Sequence, residues 1–313
     1  MVRRRVRRVA FAVGIAAAAL ALPGCGSDSP DSGDGTPRIA EDRDVPPLPL
    51  DRYQFADDEY ARYRQAQARL VQRCMVGLGF TDFPLDPREP GRKAESTATV
   101  TMAGMDSPFG SLDLDRARRW GYGHDPAQRA GREPEGRRMT DEEYRVLNGM
   151  TRAGREADGR TVPQGGCYGQ AERELTGGLS LADYSRAWSY TGGRAYALQK
   201  AMDRDDRIRT VWRTWSDCLA DKGFKRYRKP ADAFADRAWG RGEDGNTTRG
   251  ERERATAAAD VECKRRHNTA GEWWAVAVEK QRAELARRKA TYEDVRRDIE
   301  TIRANVRHIL AGG

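Results

Sequence analysis

The chain has 313 residues, with 56 Lys+Arg against 48 Asp+Glu, a formal charge of +8, and 38% hydrophobic and 33% charged residues. That apolar share is low for a globule but above the level of a wholly disordered chain, so a core has to come from amphipathic helices aided by cross-links. Residues 1–24 carry five arginines and no acid; the remaining 289 residues hold 51 Lys+Arg against 48 acids, a net +3 that removes the counterion-release drive of a nucleic-acid binder.

Arg3, Arg4, Arg5, Arg7 and Arg8 precede an apolar run from Val9 to Leu22, which leads into Pro23-Gly24-Cys25. Basic, apolar and small-residue segments in that order read as a secretory signal peptide over residues 1–24. The run of 14 residues is short of the ~20 that a membrane-spanning helix needs. Leu22-Pro23-Gly24-Cys25 resembles the lipobox of bacterial lipoproteins. The resemblance implies cleavage before Cys25 and a diacylglycerol thioether on its sulfur, whose palmitate-like chains hold the mature protein on the outer face of the cell membrane.

Residues 25–50 are rich in Gly, Ser, Asp and Pro without periodicity and predict a disordered tether. A mainly α-helical extracytoplasmic domain is expected over 51–313. Asp57-Asp58-Glu59 opens a helix at its favourable dipole end, and Tyr60, Tyr63, Leu70, Val71, Cys74 and Leu78 follow at helical spacing. Residues 84–111 read as loop, with Ser96 to Met102 the one short strand candidate. Thr140-Asp141-Glu142-Glu143 and Ser180-Leu181-Ala182-Asp183 predict capping boxes, the second starting a helical stretch to about Ala220 that Gly192-Gly193 should kink or break. Residues 240–250 predict a charged, Gly-rich loop.

The clearest helical signal comes last. Tyr292, Val295, Ile299, Ile302, Val306 and Ile309 recur in steps of three and four, and Trp274, Val278 and Leu285 extend the stripe backward. One helix over 271–310 would run about 60 Å. Its stripe either packs on its own domain or forms a coiled coil with a second copy or another envelope protein.

Beyond Cys25, four cysteines remain: Cys74, Cys167, Cys218 and Cys263. An even number outside the membrane implies disulfides. Cys74-Met75-Val76-Gly77-Leu78-Gly79-Phe80 parallels Cys218-Leu219-Ala220-Asp221-Lys222-Gly223-Phe224, with a further aromatic at Phe83 and Tyr227 and a proline at Pro84 and Pro230. The glycine supplies a left-handed helix end and the Phe folds back on the helix. The chain thus reads as two related units, about 51–177 and 180–313. Of three possible connectivities, Cys74–Cys167 with Cys218–Cys263 closes each unit on itself. Together with the lipobox and Arg116-Ala117…Trp120-Gly121-Tyr122, these turns are similar to those of secreted lipoproteins of high-GC Gram-positive bacteria. The abundance of arginine over lysine fits a GC-rich coding sequence. That resemblance implies location and carries no activity.

Chemistry-bearing patterns are sparse. His124, His267 and His308 lack ligand partners at helical spacing, so neither a metal nor a cofactor is expected. Hydrolase elbows and Ser-x-x-Lys pairs are missing. The acid pairs Asp57-Asp58, Glu142-Glu143 and Asp205-Asp206 read as solvated, salt-bridged faces. Trp212 and Trp215 share a helix face and predict core, whereas Trp273 and Trp274 point to different faces, so that one is a candidate exposed binding residue. The expectation is a lipid-anchored binding or interaction module rather than an enzyme, with the final helix and the aromatic turn at 120–123 as candidate surfaces. The alternative is an envelope hydrolase using Asp115, Glu142 and Asp183, which requires two carboxylates about 5–10 Å apart in a cleft.

Overall fold

Acidic residues open the first long helix, α1 (Asp57–Gly77). The Glu59 carboxylate accepts the Ala56 N–H at 3.0 Å, and Tyr63, Ala66, Leu70, Val71 and Met75 form its buried stripe. The computed structural model describes residues 35–88, 107–126, 136–150, 156–157, 159–242 and 245–312. The signal segment, Cys25 and the strand candidate at Ser96–Met102 lie outside these residues. The described chain continues with α2 (Leu114–Trp120), α3 (Asp141–Leu147), a two-residue hairpin (Glu156–Ala157 with Arg160–Thr161), α4 (Gly166–Thr176) and α5 (Leu181–Ser185). A π-helical turn (Arg186–Tyr190), α6 (Thr191–Met202), α7 (Asp206–Asp221), α8 (Pro230–Phe234), α9 (Glu251–Arg266), α10 (Thr269–Arg287) and α11 (Lys289–Leu310) complete it.

The first expected N-terminal box forms in full, and at the second the Ser180 cap forms without the reciprocal backbone bond. Thr140 Oγ1 accepts the Glu143 N–H at 3.2 Å while Glu143 accepts the Thr140 N–H at 2.7 Å. Ser180 Oγ accepts the Asp183 N–H at 3.2 Å. The break expected at Gly192-Gly193 falls elsewhere. Both glycines lie inside α6, the helix changes to π geometry just before them, and it ends at Met202, three residues before Asp205, whose side chain caps α7 through the Arg207 N–H at 3.0 Å. A glycine inside a helix costs only about 1 kcal/mol, whereas Asp205 satisfies the free N–H groups of a new helix start.

Two disulfides join Cys74 to Cys167 and Cys218 to Cys263, the pairing that closes each unit. They span 93 and 45 residues, which the chain-entropy account converts to about 4–5 kcal/mol each. The two turns after the first cysteines share three backbone hydrogen bonds. Gly79 and Gly223 hold φ values of 98° and 83°, and the Phe80 and Phe224 N–H groups reach back to Met75 and Leu219 carbonyls at 3.1 and 3.0 Å. Phe83 and Tyr227 are buried beneath. The second cysteines do not correspond, because Cys167 lies in the first turn of α4 and Cys263 in the last turn of α9.

The hydrophobic interior has several centres. The largest gathers α1, α3, α4, the π turn and α11 around Leu70, Met75, Leu147, Leu175, Ile299 and Ile302. The C-terminal stripe is therefore consumed inside the domain: Tyr292, Val295, Ile299, Ile302, Val306 and Ile309 are all buried. Of the two expectations for the stripe, packing on its own domain is the one that these six residues follow. It also interleaves the two units, since α11 completes the core of the first. Nor is the helix continuous. It breaks at Arg288, leaving α11 at 22 residues, or about 33 Å. The stripe positions between Leu285 and Tyr292 hold Arg288 and Lys289. Buried Glu284 instead binds Arg194 at 2.6 Å, Arg288 at 3.0 Å and Arg287 at 3.2 Å around the break.

A second centre collects Ile39, Phe109, Leu112, Met202, Ile208, Trp212, Trp273 and Ala277. It corrects the tether expectation for residues 36–50, which lie on this core. Ile39 and Leu50 are fully buried. Extended, Pro-rich backbone leaves its polar groups without neighbours in the ladder sense, and α10 supplies them: Asn268 bonds both Ile39 N–H at 2.9 Å and Pro37 O at 2.8 Å, and Gln281 accepts the Leu50 N–H at 2.9 Å. Gly271 lets Pro37 O approach so closely that a Cβ would collide with it. Trp274 donates to Pro46 O at 2.8 Å and Trp273 is buried, so neither is the exposed binding residue that the sequence suggested. Trp212 and Trp215 are core, as their shared face predicts.

Candidate functional site

The three acids of the hydrolase alternative stand on three different helices. Asp115 and Glu142 are exposed first-turn residues of α2 and α3. Asp183 sits on α5, where Ser180 and Arg186, the latter at 2.7 Å, hold its carboxyl below the ordinary range. In the acid pairs Asp58, Glu143, Asp205 and Asp206 are salt-bridged, although Glu143 is buried and not the solvated face expected. Arg137 keeps Glu143 low, and Lys280 with Arg207 keeps Asp205 far below the usual carboxylate value. His124, His267 and His308 stand on separate elements, and among the described residues no three ligand-type side chains converge as a metal site. Burial lowers the His267 pKa, helped by Arg266.

The aromatic turn at Trp120-Gly121-Tyr122-Gly123 docks on a line of buried charges along α9. Glu253, Thr256, Asp260 and Lys264 recur at three- and four-residue steps and are all buried. Glu253 Oε1 accepts the Tyr122 N–H at 2.9 Å and the Thr247 hydroxyl at 2.7 Å. Asp260 accepts the Trp215 indole N–H at 2.7 Å, the Lys264 ammonium at 2.8 Å and the Tyr122 hydroxyl at 3.3 Å. Burial nevertheless pushes the Asp260 carboxyl upward, and burial with the Asp260 charge raises Tyr122 well above the usual phenol. Tyr122 stacks on Trp239 with ring centres 5.7 Å apart. Gly121, at φ 62°, lies where an added Cβ would come within 2.6 Å of Glu253. Arg241 ties the loop down through Gly245 O at 2.8 Å, Phe234 O at 2.9 Å and Tyr122 O at 3.1 Å; its burial lowers its pKa. The turn is thus a structural latch. Reading α9 by hydropathy misses it, because its inward face is polar; the spacing of Glu253, Asp260 and Lys264 on one helical face was the available signal.

Two concavities flank the segment that follows the second Gly-Phe turn, Phe224-Lys225-Arg226-Tyr227-Arg228-Lys229. One, of about 400 Å³, lies towards α9 and Trp239, with Lys225 and Arg252 balanced by Asp236 and Glu253. The other, of about 440 Å³, lies against the outer face of α7 and is lined by Arg209, Trp212, Arg213, Ser216, Arg226 and Lys229 among others. Arg228 also lines this second pocket, as do two acids, Asp203 and Asp217. Asp203 is paired with Lys229 at 2.7 Å and Asp217 with Arg226.

These features define a disulfide-stapled helical domain with one charge-balanced and one cation-rich pocket. No family model matches the chain, and no curated protein or solved structure is similar enough to match it.

Proposed function

We propose that the mature chain is an extracytoplasmic binding module, held on the outer face of the cell membrane by a diacylglycerol thioether on Cys25. Two disulfides are the chemistry of an oxidising compartment. Among the described residues no helix is long and apolar enough to cross a membrane. Because the packed chain begins at Thr36, only residues 25–35 separate the anchor from the domain, a span of at most about 40 Å. Binding rather than catalysis is carried by one observation: the α7 pocket is walled by side chains that recognise charge, while the acids of the hydrolase alternative stand on three separate helices, α2, α3 and α5. In palmitate-labelled cells, the wild-type chain should carry label and sediment with membranes, and Cys25→Ala should lose the label and enter the medium folded. Membrane retention of Cys25→Ala would contradict the anchor.

A further inference from the structure

We infer that the pocket on the outer face of α7 binds a phosphate-bearing anion, an assignment that rests on the binding-module reading. Five cations line it: Arg209, Arg213, Arg226, Arg228 and Lys229. Four of them have acidic partners at the surface. Arg209 pairs with Asp206, Arg226 with Asp217, Arg228 with Asp232 at 3.4 Å and Lys229 with Asp203 at 2.7 Å. Exposed pairs of this kind are worth at most about 1 kcal/mol each, so a multiply charged ligand can draw these side chains away. Arg213 has no acidic partner among the described residues. Ser216 Oγ accepts the Tyr227 N–H at 3.1 Å, which leaves its own proton to donate. The Trp212 indole N–H is buried without an acceptor. Arg213, the Ser216 hydroxyl and the Trp212 indole thus add donors that no acid in the lining occupies, the complement of an oxyanion. Guanidinium groups arriving from both α7 and the 226–228 segment suit a tetrahedral phosphate, which offers acceptors in several directions, better than a single planar carboxylate.

The molecule contains its own control. In the first unit the same turn runs Phe80-Thr81-Asp82-Phe83-Pro84-Leu85, with no cation, where the second has Lys225, Arg226, Arg228 and Lys229. The position equivalent to Trp212, six residues before the cysteine, is Ala68. The position equivalent to Arg213 is Arg69, whose guanidinium is committed to the Leu310 carbonyl at 2.9 Å. The turn thus forms without the cations, and the cations gather where a pocket exists.

The test uses inorganic pyrophosphate and phosphatidylglycerol vesicles as probes. Calorimetric titration of the full chain with pyrophosphate should saturate, and Arg209→Ala/Arg213→Ala should weaken it at least tenfold with an unchanged melting temperature. Arg69→Ala should bind like wild type. If a lipid headgroup is the natural source, full-length Cys25→Ala, which lacks the anchor, should sediment with phosphatidylglycerol but not phosphatidylcholine vesicles, with the same dependence on Arg209 and Arg213. Saturation by neither probe, or binding insensitive to the double substitution, overturns the assignment. A Cys25→Ala chain that is released and folded but binds neither probe removes the ligand and leaves the anchor standing; one retained in membranes removes the anchor whatever the pocket does.

Discussion

The turn around Cys74 and the turn around Cys218 close their helices with the same three hydrogen bonds. Leu78, Gly79 and Phe80 donate to Met75, Val76 and Met75; Lys222, Gly223 and Phe224 donate to Leu219, Ala220 and Leu219. Two residues before each cysteine, Gln72 and Ser216 hold the backbone of the next aromatic, through Phe83 O at 2.9 Å and the Tyr227 N–H at 3.1 Å. What surrounds the turns differs. The first is sealed by apolar side chains of α4 and α11. The second faces α9, whose buried face is ionic, and its outer side carries the cation-rich pocket. A turn motif with a disulfide is therefore a scaffold that sets chain direction, while the neighbouring helix decides whether the site is a dry core or a polar one.

The largest expected break in this comparison is Lys264→Met. It leaves Asp260 buried without its ammonium, a loss on the order of 3–5 kcal/mol, and denaturant unfolding should show it. A cost under 1 kcal/mol would mean that the α9 charges are solvated and that the two regions do not differ in kind. A smaller and sharper comparison is Gly79→Ala against Gly223→Ala. Both hold positive φ, so each should cost about 1–2 kcal/mol. Unequal losses would show that the two turns are alike only in outline.

Much of the fold was legible where hydrophobic period and covalent logic agree. The stripe of α1, the shared face of Trp212 and Trp215, the Thr140 box and the Ser180 cap follow from residue spacing, and the disulfide pairing is the one of three that closes each unit on itself. Other features depend on partners distant in sequence. Residues 36–50 look like a tether until Asn268, Gln281 and Trp274, more than 200 positions away, bond their backbone. The inward face of α9 escaped because Glu253, Asp260 and Lys264 carry the polarity of a surface. The helix break at Arg288 was masked by a stripe that resumes in phase beyond it. The α7 pocket was hidden for a related reason: arginine-rich segments read as solvated faces until the chain folds one against another.

Two related units, each closed by its own cross-link, fix the outcome of non-reducing peptide mass mapping of the full chain. It should yield peptides joining Cys74 to Cys167 and Cys218 to Cys263, with no other cross-linked species. A Cys74–Cys263 or Cys74–Cys218 peptide from folded protein would contradict it.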